Sequence, residues 1–325
     1  MKTDNVHPTL QKIQELPKAE LHMHLEGSLE PEMLFALAKR NKIQLPYQTV
    51  SDIHKAYRFS HLQAFLDLYY QGMSVLLQEQ DYYELAQGYL KKAHQDHVQH
   101  VELFLDPQAH LSRGVSLSSV FKGIDQAIQQ AQQAYGMTVS IIVCFLRHLS
   151  QKEALEAFEQ LMPYRDQFIG IGLDSSELGH PPRQFKELFA LARTEKLRLV
   201  AHAGEEGPAS YVWEALDILG VERIDHGNAI HTDPVLIQRI VKDQIPLTMC
   251  PLSNKALNVV PDLKNHPARD LMNQGVKVTI NSDDPAYFGG YLNQNYWALA
   301  KALALTHAEL ETLARHSIEA RFDAR

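Results

Sequence analysis

The stretch Ala19-Glu20-Leu21-His22-Met23-His24-Leu25-Glu26-Gly27-Ser28 governs the reading of the chain. A short apolar-rich run ends in two histidines one residue apart. In a β-strand, residues i and i+2 face the same way. His22 and His24 then aim at one point, where strand gives way to loop. Gly27 and Ser28 supply the turn, and Ser28 is placed to cap a following helix with Pro31 near its first turn. Two convergent imidazoles are half of a transition-metal site. A bare His-x-His also arises by chance, so the decision rests on where the other polar residues fall.

Working outward, apolar runs recur at 100–105, 137–146, 168–173, 198–203, 223–227, 246–250 and 276–280. Helical patterns separate them, at 117–135, 151–161, 183–195, 211–219, 234–243 and 267–274. Several runs are almost unbroken in apolar residues, as in Met-Thr-Val-Ser-Ile-Ile-Val-Cys-Phe-Leu from Met137. That is the pattern of parallel strands buried on both faces. Counting the first strand, eight βα units predict a TIM (β/α)8 barrel. The alternative, a doubly wound open sheet, lacks a dinucleotide or P-loop glycine motif here. The stretch 29–95 is too long for one crossover. Its helical patterns at 30–40, 61–80 and 82–95, with an irregular part at 41–57, predict a helical insertion covering one end of the fold. Extra helices are expected from Leu292 onward. With no linker or low-complexity tract, residues 1–325 read as one domain.

Composition sets limits on function. The chain has 325 residues, 45% hydrophobic and 22% charged, with a net charge of −8. This is an ordinary globular balance. No basic run favours nucleic acid or an anionic membrane, and no apolar stretch of 18 residues suggests a membrane span. Cys144 and Cys250 lie in apolar runs and read as reduced core thiols. With no apolar signal segment in the first ten residues, the expected location is cytoplasmic. A homo-oligomer is compatible with the sequence but not specified by it.

In a TIM barrel the active site sits at the C-terminal ends of the strands. His22 and His24 end the first strand, His202 the fifth, His226 the sixth, and Asp283 and Asp284 the eighth. Three neutral imidazoles and one carboxylate, with an open position, suit Zn²⁺. His22, His24, His202 and Asp283 are therefore the expected ligands of one zinc ion per chain. Each alone reads as a loop histidine or a turn aspartate; the shared location at strand ends is what speaks for a metal. Glu205, in His202-Ala203-Gly204-Glu205, is the expected proton shuttle to a substrate ring nitrogen; Gly204 lets the backbone turn back toward the site. Its neighbour Glu206 reads as a solvated loop residue. His226 is expected to assist electrostatically from just outside the metal, the alternatives being a fourth histidine ligand or a core histidine. Asp284 should leave the metal and accept from a substrate N–H, or else cap a turn beside Pro285.

Taken together, His22-x-His24-Leu-Glu-Gly-Ser, His202-Ala-Gly-Glu205, Ile224-Asp-His226-Gly, Cys250-Pro-Leu-Ser-Asn254 and Asn281-Ser-Asp283-Asp284-Pro285 resemble the adenosine/adenine deaminase family of the amidohydrolase superfamily. The resemblance spans nearly the whole chain. It implies a one-zinc TIM barrel in which hydroxide attacks C6 of a purine, Glu205 protonates N1, ammonia leaves and Asp284 contacts N7. Its partner is then a small purine base. Four stretches resemble the adenine branch: Glu26, where adenosine enzymes usually carry a ribose-reaching aspartate; Phe104-Leu105-Asp106-Pro107-Gln108-Ala-His110; Leu173-Asp174-Ser175-Ser176-Glu177-Leu-Gly-His180-Pro-Pro; and Ser282-Asp-Asp-Pro-Ala286-Tyr287-Phe288-Gly289-Gly290-Tyr291. Leu105 departs from the phenylalanine usual at its position. Glu26, Tyr287 and Phe288 are expected to close the room that ribose would need. The alternatives are a deaminase of adenosine or of an N6-substituted adenine and, from another class, a catalytically silent purine- or metal-binding protein. His24-Leu25-Glu26 also matches the His-x-Glu of cytidine-type zinc deaminases, but their Pro-Cys-x-x-Cys is missing.

Overall fold

Strand closure places the first and last strand ends side by side, and the rest of the fold supports that junction. The structure is a computed structural model describing residues 10–59 and 61–322; the reading of the extreme N-terminus falls almost wholly outside them. The strands are β1 (Lys18–His24), β2 (Val98–Leu105), β3 (Thr138–Leu146), β4 (Gly170–Asp174), β5 (Arg198–Ala203), β6 (Arg223–His226), β7 (Leu247–Met249) and β8 (Val278–Ile280). They lie in sequence order, each parallel to the next. A parallel bridge between Met23 and Asp283 brings β1 against the segment after β8. Its backbone bonds are His24 N–H to Asp283 O at 2.9 Å and Asp283 N–H to His22 O at 3.1 Å. The barrel thus closes through expected metal ligands.

All seven residues of β1 are buried, as are most of the other strand residues, which explains the near-continuous apolar runs. Low in the barrel, Arg223 donates to Glu102 at 2.6 Å and to Leu21 O at 3.1 Å, with both side chains fully buried. Around the sheet, helices Leu117–Tyr135, Gln151–Leu161 and Pro234–Asp243 have the expected bounds. Local chemistry fixes their starts. Ser116 and Ser150 accept from the third residue of their helices, and Asp233 accepts from Val235 and Leu236 N–H, which satisfies otherwise orphaned donors.

The insertion is helical as expected, with helices Pro31–Asn41, Val50–Ala56, Leu62–Met73 and Glu79–Gln95. Three local expectations change. Ser28 caps no helix; it lies in a 3₁₀ turn and donates to Leu25 O at 2.7 Å, while Glu30 occupies the cap position. The pattern at 61–80 is broken, because the Asp81 carboxylate accepts from Leu77 and Gln78 N–H, both at 2.8 Å, and starts a new helix. Val50–Ala56 forms a helix inside the stretch read as irregular, where Thr49 and Asp52 build a capping box. The Leu62–Met73 helix packs its Leu62, Phe65, Leu66, Tyr69 and Met73 against Leu257, Tyr287 and Phe288. This separate apolar cluster roofs the C-terminal end of the barrel. Helices Leu292–Leu303 and His307–Glu319 follow β8. Cys144 and Cys250 are buried and unpaired. No described helix is long and apolar enough to cross a membrane.

Candidate active site

Four strand ends deliver the polar residues singled out above to one buried place. One ligand atom from each of His22, His202, His226 and Asp283 lies within 4.8 Å of the other three, and His24 forms a neighbouring group with Asp283 and Asp284. Asp283 Oδ1 is 3.2 Å from His22 Nε2 and 3.6 Å from His24 Nε2; its Oδ2 is 3.9 Å from His226 Nε2. His24 Nε2 and His202 Nε2 are 3.2 Å apart. All six expected residues at the strand ends are brought together, with Glu205 beside them.

The outer nitrogens of these rings determine what the inner ones present. His202 Nδ1 lies 3.1 Å from Leu173 O, which only accepts, so Nδ1 carries the proton and Nε2 a lone pair. Thr248 donates to Asp225 at 2.8 Å, so His22 Nδ1–H donates to Thr248 Oγ1 at 2.9 Å and Nε2 is again bare. His24 Nδ1 faces the Asp174 carboxylate at 3.6 Å. Burial holds His24 down to about 4 and His226 to about 3, and holds His202 well below the usual histidine range. Burial also opposes charge on His22, but the adjacent Asp283 carboxylate wins and tips it upward; burial opposes charge on Asp283 too, yet the imidazoles beside it hold it well below the usual carboxylate range. His22 Nε2 is buried with no hydrogen-bond partner in the protein. Converging bare lone pairs beside an anionic carboxylate are costly by themselves and are what a divalent cation satisfies. The residues fit a metal ion.

The backbone is strained where it aims these groups. His226, Asp283 and Ser175, all just at or past strand ends, adopt φ values of 63°, 64° and 74°. Such left-handed non-glycine positions cost roughly 1–3 kcal/mol each and persist where the surroundings over-determine them. Gly204 takes φ +72°, and a Cβ there would meet Val212 at 2.9 Å. The expected turn after β5 therefore exists, and it brings Glu205 in, 7% exposed, with Oε2 3.5 Å from His226 Nε2. Burial, reinforced by Asp283, raises the Glu205 carboxyl well above its usual range. Asp284 is raised likewise, by burial and then by Asp283, and its carboxyl packs on Gly27, where any Cβ would collide with it.

The site has supports that the sequence reading missed. Glu177 accepts four backbone N–H bonds: from Gly204 at 2.7 Å, Glu205 at 3.0 Å, Glu206 at 2.9 Å and Gly207 at 2.8 Å. It therefore fixes the whole loop that carries Glu205. Arg147 donates to His202 O at 2.6 Å and His180 O at 2.8 Å. Asp225, one residue before His226, anchors His22 through Thr248. Its partner in register is Thr248 itself, a pairing visible only once the strands are aligned. Glu206 is not solvated: it is half-buried and accepts from Leu62 N–H at 3.3 Å, tying the loop to the roof helix.

A pocket opens onto these groups. Leu62, Phe65, Leu66, Tyr69, Tyr70, Leu257 and Phe288 form its apolar walls; Asp106 and Asp174 add two further carboxylates. Burial, then mutual repulsion, raises Asp106 well above its usual range; burial raises Asp174 to about 7. Two expectations about the walls change. Glu26 does not line the pocket; its Oε1 accepts from His110 at 2.7 Å and Asp106 N–H at 3.1 Å, and His110 is itself held by Tyr82 and Arg113. Tyr287 stands one layer back, stacked on Tyr57 with ring centroids 4.5 Å apart, while Phe288 reaches the pocket.

A family model described as adenosine deaminase matches residues 17–324. The chain belongs to the adenosine deaminase family. An adenine deaminase from Acinetobacter baylyi is 54% identical over 310 residues, covering 95% of this chain and 93% of that protein. The crystal structure of an adenine deaminase from Arthrobacter aurescens matches with a TM-score of 0.93 at 47% identity, over 95% of this chain and 94% of that one. A cog1816 amidohydrolase from Burkholderia ambifaria, solved with bound Zn, matches with a TM-score of 0.88 at 27% identity, over 99% and 89% of the two chains. The family resemblance seen in the sequence is thus borne out, as is its barrel.

Proposed function

We propose that this chain hydrolyses adenine to hypoxanthine and ammonia, acting as one catalytic domain with one zinc ion held by His22, His24, His202 and Asp283. The observation that carries the reading is the meeting, in one roofed pocket, of the converging His/Asp lone pairs with a buried Glu205 whose carboxyl is raised well above its usual range. Likeness to adenine deaminases at more than half identity over most of the chain supports adenine as the substrate. The zinc-bound relative supports zinc. Ligating histidines nearly always direct their other nitrogen at a carbonyl or carboxylate. His202 does so, and His22 reaches Asp225 through Thr248; His24 Nδ1 lies 3.6 Å from the Asp174 carboxylate without a hydrogen bond, and neither nitrogen of His226 has a hydrogen-bond partner.

When bound, the ion supplies an oxygen nucleophile at neutral pH by acidifying water. Glu205 holds a proton at the pocket wall and delivers it to purine N1 as C6 is attacked, so negative charge does not build on the ring. His226, 3.5 Å from Glu205 and neutral, steadies the charge that develops at the attacking oxygen. Asp284, pressed on Gly27, is fixed to hydrogen-bond N7. The Leu62–Met73 helix keeps bulk water from the reacting edge. A silent binding protein would have no use for a buried, loop-clamped Glu205. The test is hypoxanthine and ammonia formation from adenine by zinc-loaded protein, before and after chelation. Equal rates in the two states, or no product from either, would reject the proposal.

A further inference from the structure

We infer that Asp106 reads the N–H of the purine's five-membered ring and thereby separates the free base from N9-substituted purines. The inference rests on the adenine reading above and identifies the residue that enforces it.

Asp106 directly follows β2, is 1% exposed and faces the pocket. It is held rigidly. Its N–H donates to Glu26 Oε1 at 3.1 Å, its Oδ2 accepts from Tyr69 OH at 3.3 Å, and Pro107 starts the next helix turn behind it. Its Oδ1 is buried and has no partner in the protein. A buried polar atom of this kind needs a reason, because leaving it unpaired costs roughly 1–3 kcal/mol.

The other carboxylates of the pocket face other groups. Asp283 serves the imidazoles, Glu205 faces His226, Asp284 packs on Gly27, and Asp174 lies 3.6 Å from His24 Nδ1, although Asp174 Oδ1 and Asp284 Oδ1, like Asp106 Oδ1, have no hydrogen-bond partner in the protein. Glu26, the residue singled out in the sequence for this region, does not line the pocket, and its Oε1 is held by His110 and Asp106 N–H. Asp106 shares a group with His24 and Asp174 but not with Asp283. It therefore lies on the His24 and Asp174 side of the pocket. A purine that presents C6 to the metal-binding group turns its opposite edge, N3 and N9, toward this wall.

A free base carries a donor there and a nucleoside carries a glycosidic carbon. Oδ1 can accept from the donor whether the carboxyl is ionised or not, since a neutral carboxyl keeps its carbonyl oxygen. An N9 substituent offers it nothing and presses against it. Sites built to hydrogen-bond a substrate N–H reject analogues lacking it by up to about 10⁴–10⁵.

The probe is 9-methyladenine, which differs from adenine by one methyl in place of that hydrogen. Its kcat/KM is compared with that of adenine on zinc-loaded wild type, Asp106→Ala and Asp106→Asn, with metal content measured for each. Wild type is expected to favour adenine by at least about 10³. Asp106→Ala should lower adenine turnover by about 10² or more, hold its metal, and shrink the preference to within about tenfold. Asp106→Asn, which keeps an oxygen and the side-chain volume, should fall between and serves if the alanine variant does not fold. A wild type indifferent to N9 methylation, or variants that lose both substrates by the same factor, would overturn the inference while leaving the deaminase reading intact. No turnover of adenine by wild type would instead reject that reading, and this inference with it.

Discussion

Replacing Glu177 with glutamine tests whether the active-site acid is positioned by a backbone clamp. Its Oε2 accepts from Glu205, Glu206 and Gly207 N–H, and its Oε1 from Gly204 N–H. A glutamine has one acceptor oxygen. If that oxygen takes the three-donor position, its NH₂ group meets the Gly204 N–H head-on. At least one bond is lost, a repulsive donor pair replaces it, and the remaining bonds lose their charge assistance. An unsatisfied buried donor costs about 1–3 kcal/mol, and charge-assisted bonds are worth about 1.5–3 kcal/mol against about 1 for neutral ones. The loop bearing Glu205 should therefore rearrange. A displacement of about 1 Å in a positioned group costs on the order of 10² in rate. The assay is steady-state ammonia release with metal content on the same preparation. Zinc should stay stoichiometric, KM should change little, and kcat should fall by about 10². The pH dependence of kcat should also shift, because Glu205 owes its raised pKa first to burial. A Glu177→Gln enzyme with kcat within about threefold of wild type and an unchanged pH profile would refute the clamp.

Other outcomes follow from the same geometry. Glu205→Gln should keep metal and purine binding yet lose at least about 10² in turnover, the usual scale for a positioned acid–base group; near-normal kinetics would remove it from proton transfer. His202→Ala should lower zinc occupancy measured by elemental analysis, since its Nε2 is oriented by Leu173 O; full occupancy would exclude it as a ligand. His266 is buried and held down to about 4 by burial, with Nε2–H donating to Asn254 at 3.1 Å. The unfolded chain protonates it near pH 6.5, so its stabilising contribution is complete above that pH and is lost as pH falls toward 4. Between pH 7 and 5 wild type should lose about 2 kcal/mol more unfolding free energy in urea than His266→Gln, which does not titrate; parallel losses would show that His266 is not the group responsible.

The barrel and the strand-end residues were legible because both follow from local rules. Buried parallel strands announce themselves as apolar runs, and the topology of eight of them sends every strand's last residues to one face. His22, His24, His202, His226, Asp283 and Asp284 could therefore be gathered without coordinates. What stayed hidden depends on pairings between distant segments. Glu177 reads as an ordinary loop glutamate until the loop at 204–207 lies over it. Asp225 acquires its role only through the register that sets Thr248 beside it. Glu26 looked like a pocket residue from its place after His24, but its fate is set by His110, 84 positions away. The break in the helical pattern after Met73 had a local cause, the Asp81 cap, yet the apolar periodicity there carries through the break and masks it.

The most direct test of metal-dependent adenine deamination is kcat/KM for adenine, adenosine and N6-methyladenine, measured on one zinc-loaded preparation under one condition. Adenine should be highest, with adenosine lower by roughly 10² or more, because a buried acceptor left unpaired costs about 1–3 kcal/mol and a ribose at N9 adds a steric clash. Adenosine equal to or better than adenine would contradict the assignment, and N6-methyladenine far ahead of both would transfer it to the substituted base.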